Sequence, residues 1–323
     1  MSEADSVLLC GFGGPTPGCC GRRSDCPQKD DGFEATCFVR KILGDDPQQE
    51  ERVQEVVAHY RHFGGYSPYN ERSEAQRLAL EAELARRGTA LRVELGFRNW
   101  PPWYEQGLAT LHAAGCRNTL LSILAPHQGK RSWDDYIDEA TAARAGMPQG
   151  PAIIGVAEPI YQHPGFIAAL ADRVRRAAQQ LSGDDWALVM TAHAIPQPAE
   201  RGVYRPQVER SAELLRQHFP DHPWRLGFQS APSSSRIPWS QPVVEDCLSE
   251  LNTEGISRVV VIAIGFLVDH IEVRYDLDVE LAEHAQQLGL EYQRAGCVDN
   301  HPLFISALAD RILEARSQDH TIP

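Results

Sequence analysis

The sequence predicts an α/β protein of two similar, doubly wound, Rossmann-like halves, each a parallel sheet flanked by helices, with a cleft between them. Three observations carry this. Short apolar, β-rich runs alternate with longer amphipathic stretches, as βαβ units require. One segment occurs twice: His163-Pro164-Gly165-Phe166-Ile167 leading to Ala169-Leu170-Ala171-Asp172-Arg173, and His301-Pro302-Leu303-Phe304-Ile305 leading to Ala307-Leu308-Ala309-Asp310-Arg311. The elements before each copy also match, Leu95-Gly96-Phe97 answering Leu226-Gly227-Phe228, and the run after Gly115 answering the run after Gly255. Three matches in register indicate an internal repeat.

In chain order, the apolar runs place strands over residues 7–12, 92–97, 119–124, 186–191, 224–228 and 258–264. Helical periodicity places helices over 71–87, 104–114, 166–181, 244–251 and 273–288. The polar cluster Ser182-Gly183-Asp184-Asp185 marks a seam, giving halves of 1–182 and 183–323. The histidines of the two His-Pro repeats read as structural helix starts, with proline in the first turn.

Composition narrows the function. With 42% hydrophobic and 23% charged residues, the 323-residue chain is that of a folded soluble protein. A net charge of -13 argues against nucleic acid and permits a cationic partner. The acidic start Met1-Ser2-Glu3-Ala4-Asp5 does not resemble a signal peptide, and the longest apolar run, 259–268, is half a bilayer span. A cytoplasmic location is expected, with peripheral membrane contact left open. Oligomeric state is not legible. The chain carries no GxGxxG after its first strand, no Walker loop, no GxSxG and no HExxH.

Ligands in open α/β sheets bind beyond the carboxyl ends of the strands. Three such ends stand out. His193, in Thr191-Ala192-His193-Ala194-Ile195-Pro196, would face the cleft, as a proton acceptor or as a hydrogen-bonded structural histidine. After the most apolar strand, Gly265-Phe266-Leu267-Val268-Asp269-His270-Ile271-Glu272 opens a helix on which Glu272, Asp276 and Glu280 recur every four residues. Such a row could escort a divalent cation or protons, or be an acidic surface stripe. Phe228-Gln229-Ser230 and Ile237-Pro238-Trp239 could wall a planar apolar ligand.

These stretches, in this order, resemble the ferrochelatase family. Leu8-Leu9-Cys10-Gly11-Phe12-Gly13-Gly14-Pro15 is similar to its first strand and Gly-Gly-Pro turn. Residues 38–47, from Phe38 to Pro47, resemble the helix and loop that follow. Phe63-Gly64-Gly65-Tyr66-Ser67-Pro68 resembles its Gly-Gly-x-Ser-Pro segment, and Gly96-Phe97-Arg98-Asn99-Trp100 its next strand end. In the second half, Ala192-His193-Ala194-Ile195-Pro196 looks like Ser-Ala-His-Ser-Leu-Pro, and Asp269-His270-Ile271-Glu272-Val273-Arg274-Tyr275-Asp276-Leu277-Asp278 like Ser-Asp-His-Ile-Glu-Thr-Leu-Tyr-Glu-Leu-Asp.

The resemblance implies insertion of Fe²⁺, as substrate, into a porphyrin (protoporphyrin IX or coproporphyrin III) in haem biosynthesis. It implies His193 and Glu272 as the catalytic, metal-handling pair, with Asp276 and Glu280 as an acidic relay behind them. Phe12, Tyr66, Ser67, Trp239 and Phe266 are the implied porphyrin contacts. A chelatase for another metal or tetrapyrrole, or a porphyrin-binding protein without turnover, are the alternatives. The chain departs from the family at Trp100-Pro101-Pro102, where many members have Trp-His-Pro, and at Ala125-Pro126-His127-Gln128-Gly129-Lys130-Arg131, where most are rich in Tyr and Ser. His127, Lys130 and Arg131 could there contact porphyrin carboxylates or form an exposed basic loop. The stretch with Cys19, Cys20, Cys26 and Cys37 looks like an insertion. Its thiols could hold zinc or a [2Fe–2S] centre or stay unligated.

Overall fold

A computed structural model describes residues 3–22, 33–44, 46–232 and 237–317. It divides into two compact units. The first holds β1 (Ser6–Gly11), β2 (Arg92–Phe97), β3 (Asn118–Ile123) and β4 (Ala152–Val156), with α1 (Glu34–Leu43), α2 (Glu50–His62), α3 (Tyr69–Arg86), α4 (Tyr104–Ala113) and α5 (Asp135–Ala145). Its sheet is parallel in the order β2-β1-β3-β4.

The second unit holds α6 (Pro164–Ala178), β5 (Ala187–His193), α7 (Tyr204–Arg216), β6 (Trp224–Gln229), α8 (Val244–Thr253) and β7 (Arg258–Ala263). It continues through α9 (Ile271–Arg274), α10 (Leu281–Gln287), β8 (Glu291–Ala295) and the larger part of α11 (Pro302–Ser317). Its sheet repeats the order, β6-β5-β7-β8, again parallel. The expected fold class is therefore observed.

The Leu-Gly-Phe repeat has a steric reason. A Cβ on Gly96 would lie 2.7 Å from the Tyr104 ring, and one on Gly227 2.7 Å from Val244 Cα. In each unit the helix after the strand starts directly against that glycine. The two strands missed by periodicity, β4 and β8, are edge strands whose residues are mostly half-buried, so neither shows a clean apolar run.

The units do not follow one seam at residues 182 and 183. The segment Ala125–Asp134 and everything from Pro159 to Arg311 group with the second unit, and residues from Ile312 on with the first. The cause is packing. The face of α6 bearing Phe166, Ile167, Leu170 and Val174 is buried, and the helix lies on β7 and β8. At the far end of the chain, Arg316 Nε reaches the Ala4 carbonyl at 3.1 Å and Glu3 at 3.2 Å.

The repeated His-Pro segments meet each other within the second unit. His163 Nδ1 accepts from the Gly165 amide (3.1 Å) and His301 Nδ1 from the Leu303 amide (3.2 Å), so each caps its own helix. The other ring nitrogen reaches across: His301 Nε2 to Asp172 at 2.9 Å, His163 Nε2 to Asp310 at 3.4 Å. Phe166 and Phe304 meet edge to face between them. The hydrogen bond from His301 holds the Asp172 carboxyl below its ordinary value against burial, which raises it, with Arg176 assisting. A lowered acid contributes stability above the ordinary carboxylate range and loses it as pH falls through the depressed value. Asp172→Asn is expected to cost about 0.5–1 kcal/mol at pH 7, a small figure because the carboxylate is a third exposed. Urea unfolding at several pH values should show that deficit shrinking toward acid.

Candidate active site

The chain runs from β5 to β6 on one side and then crosses to β7 on the other, so β5 is the switch point of its sheet. That is where such sheets open for ligands. His193 is the last residue of β5, paired with Gln229 of β6. Its Nδ1 lies against the Ala194 carbonyl, which leaves Nε2 to face Glu272 Oε1 at 2.9 Å. Both side chains remain about a third exposed, at 36% and 39%.

Glu272 sits in the first turn of α9, directly beyond the loop that leaves β7. The expected unbroken helix over 273–288 is corrected here: residues Tyr275–Glu280 form a π-helical turn between α9 and α10. Side chains from outside the helix hold the widened turn. Tyr292 Oη donates to the Leu277 carbonyl at 2.7 Å, Arg294 pairs with Asp278, and Ser230 Oγ donates to Asp276, as does Gln229 Nε2 at 3.1 Å. Widened turns of this kind gather at functional sites.

Charge is arranged in a line. Burial disfavours the His193 imidazolium, but the Glu272 carboxylate and its hydrogen bond outweigh burial and push the pKa up to about 9. Burial raises Glu272, while His193 and then His270 bring it down to about 2. Asp276 is pushed up to about 7, by burial first and then by the Glu272 charge, against the Ser230 and Gln229 hydrogen bonds. Near neutral pH the site thus favours an imidazolium beside a carboxylate, with the Asp276 carboxyl raised well above its ordinary range. The imidazolium's contribution to stability is lost as pH rises through about 9, the carboxylate's as pH falls through about 2.

Of the expected porphyrin contacts, Phe266 lies beside this pair, its ring centroid 6.4 Å from that of His193 and 4.9 Å from that of His270. Trp239 joins the loop after β5 through a bridge to Pro196. Phe12, Tyr66 and Ser67 belong to the first unit. There Phe12 packs edge-on against Phe38 at 6.0 Å, and Tyr66 is exposed. Ser67 is buried: its amide donates to the Pro15 carbonyl, and its hydroxyl accepts from the Tyr69 amide. Ser67 therefore braces the Gly14-Pro15 turn.

His127 also departs from expectation. It is 1% exposed, with Nε2 bonded to Ser211 Oγ at 2.9 Å, and burial lowers its pKa to about 3. A neutral, enclosed imidazole offers no charge to a carboxylate ligand. Of the thiols, Cys19 is exposed, while Cys20 and Cys37 lie half-buried against the cluster containing Phe38 and Trp100. Cys26 lies outside the described residues. Among the described residues no three His, Cys, Asp or Glu side chains gather as a metal-holding group.

The residues that support the pair carry little signal in the sequence. Gln229 and Ser230 were legible only as a strand end, and Ser230 takes the left-handed φ of 65° that turns its hydroxyl toward Asp276. Asp269, although in the recognised motif, is bound by Arg294 at 2.8 Å and by the Cys297 amide at 3.3 Å. It holds the loop before Glu272.

A model of the Ferrochelatase family matches residues 33–316. The chain belongs to the ferrochelatase family. It is 32% identical to a ferrochelatase of Rhodopirellula baltica over 97% of this chain and 88% of that one. It is 33% identical to a coproporphyrin III ferrochelatase of Mycolicibacterium smegmatis, covering 96% and 89%. Among solved structures, SirB from Bacillus subtilis with Fe³⁺ superposes with a TM-score of 0.60 at 15% identity, over 97% of this chain and 95% of that one, which shows the shared fold. Ferrochelatase activity, Fe²⁺ insertion into a porphyrin for haem, is accordingly the function of this chain. No helix among the described residues is long and apolar enough to cross a membrane.

Proposed function

We propose that this ferrochelatase metallates coproporphyrin III, with His193 receiving the pyrrole protons and Glu272 and Asp276 handling the incoming Fe²⁺ and passing protons outward. The observation that carries the residue roles is the 2.9 Å contact between His193 Nε2 and Glu272 Oε1 at the switch point, backed by Asp276 from the widened turn. The porphyrin assignment is supported by similarity to relatives named for coproporphyrin III.

Iron replaces two N–H protons, so the site must take up a dication and lose two protons. Before metal arrives, Glu272 favours the protonated form of His193. A cation arriving at Glu272 removes that support and drives the imidazole to its acceptor form. Asp276, titrating at about 7, is suited to carry the released proton. Glu280 continues the line at the end of the π turn and is proposed as its outer member. Phe266, beside His193, supplies an apolar surface for a flat macrocycle.

Two measurements test this. Anaerobic insertion of Fe²⁺ into coproporphyrin III and protoporphyrin IX, followed by absorbance, should show faster turnover of the former. Preference for protoporphyrin IX would overturn the substrate assignment, and preference for Co²⁺ at equal concentration would overturn the metal. Separately, Zn²⁺ affinity of the free enzyme should rise from pH 5 to 9, by about tenfold per pH unit for each proton displaced below the pKa of its donor. Asp276→Asn should flatten the lower part of that rise, and an unchanged slope would remove Asp276 from the relay.

A further inference from the structure

One face of α7 connects His193 to the unusual loop after β3. Tyr204, Gln207 and Ser211 fall at helical spacing on that face, and all three are buried. Tyr204 Oη donates to the His193 carbonyl at 2.9 Å. The same peptide plane is held at its other end, where the Ala194 amide donates to the Gln229 carbonyl at 2.8 Å. The next carbonyl, that of Ala194, takes His193 Nδ1. Rotation of the 193–194 peptide would therefore swing the imidazole, and the phenol of Tyr204 opposes that rotation.

The rest of the face is locked by the segment Ala125–Asp134, which belongs to the same unit. The Gln128 amide donates to Gln207 Oε1 at 2.7 Å, and Gln207 Nε2 donates to Gln128 Oε1 at 2.7 Å. Ser211 Oγ spends its proton on the Tyr161 carbonyl at 2.7 Å and so accepts from His127 Nε2–H. The His127 ring also stands edge-on to Tyr204, with centroids 6.0 Å apart. The α7 N-cap, Val203, makes no side-chain cap, so these contacts fix the helix start that carries Tyr204.

We propose that Tyr204 is a positioning residue for His193, and that Gln128 and His127 act on the reaction through it by holding α7. The inference rests on His193 as the proton acceptor. Misplacing a reacting group by about an ångström can cost about a hundredfold in rate. Tyr204→Phe is thus expected to lower kcat for Fe²⁺ insertion about ten- to a hundredfold, with KM for porphyrin within about twofold.

The experiment compares wild type, Tyr204→Phe, Gln207→Met and the double variant for kcat, KM and thermal midpoint. Gln207→Met should lower kcat alone but add little in the Tyr204→Phe background, because both act through one hydroxyl. Alongside, ¹³C-labelled histidine Cε1–H signals are recorded at one fixed pH, that of His193 being identified by its loss in His193→Ala. Its signal should broaden or split in Tyr204→Phe, and also in Gln207→Met, which keeps the phenol should Tyr204→Phe fold poorly. Wild-type kcat and an unaltered His193 signal in Tyr204→Phe would overturn the proposal. Full additivity of the two variants would overturn the part played by the loop. If His193→Ala keeps wild-type turnover, the proton-acceptor reading falls instead, and the His193 signal still decides whether Tyr204 orients the ring.

Discussion

His193→Ala is expected to lower Fe²⁺ insertion about a thousandfold, and Glu272→Gln nearly as much for a different reason. A positioned general base contributes roughly 10²–10⁴ to rate. His193 is the basic group presented at the switch point of its sheet, with Nε2 directed outward by the Nδ1 contact to Ala194. Alanine removes the proposed acceptor outright. Glutamine at 272 keeps the shape and removes the charge that holds the imidazole at about 9. Burial, which lowers a histidine, is then opposed by the Ala194 carbonyl and Asp276 but no longer by Glu272, so His193 should titrate well below its wild-type value in Glu272→Gln. Anaerobic turnover and histidine NMR titrations read these two effects separately. Activity within tenfold of wild type in His193→Ala would remove it from the chemistry. An imidazole still titrating near 9 in Glu272→Gln would show that another group supports the cation.

Arg294→Met should produce the largest loss of stability, about 3–5 kcal/mol. Arg294 Nη1 binds Asp269 Oδ1 at 2.8 Å, and the two side chains are only 14% and 9% exposed. Removing the guanidinium strands a buried carboxylate, and the same arginine also ties Asp278 in the π turn. Removing both Arg294 and Asp269 is milder, since the carboxylate that then loses its arginine, Asp278, is a third exposed rather than buried. Arg294→Met with Asp269→Asn should therefore recover part of the loss in urea unfolding. Equal stability of the single and double variants would mean that the pair carries no desolvated charge. Because Asp269 precedes Glu272 in the loop from β7, turnover should fall in the single variant even well below its melting temperature.

The His-Pro repeats show how much of the architecture was legible. Their matched order announced two similar halves, and both histidines proved to be helix caps as read. The cross-contacts to Asp172 and Asp310 were not legible, although both aspartates stand within the repeat, because no local pattern says that two helices will lie together. The edge strands β4 and β8 escaped because half-buried positions do not enforce alternation.

At the site, strand-end position and spacing drew attention to His193, Glu272 and Asp276, and the family resemblance added Phe266, because strand ends in a parallel sheet and family motifs are both local in sequence. The sequence by itself thus determined the fold class and the family, and it named His193 and Glu272, which the structure brings together, as the candidate pair. Tertiary structure alone decided their condition. It raised the pKa of His193 by setting Glu272 2.9 Å away, and raised that of Asp276 by burial and the Glu272 charge against two donors. It also enclosed His127 rather than exposing it, and widened the helix after Glu272 into a π turn. Charge state and helix pitch depend on desolvation and on hydrogen bonds from residues remote in sequence, such as Gln229, Ser230, Tyr292 and Arg294, and these exist only once the chain has closed on itself.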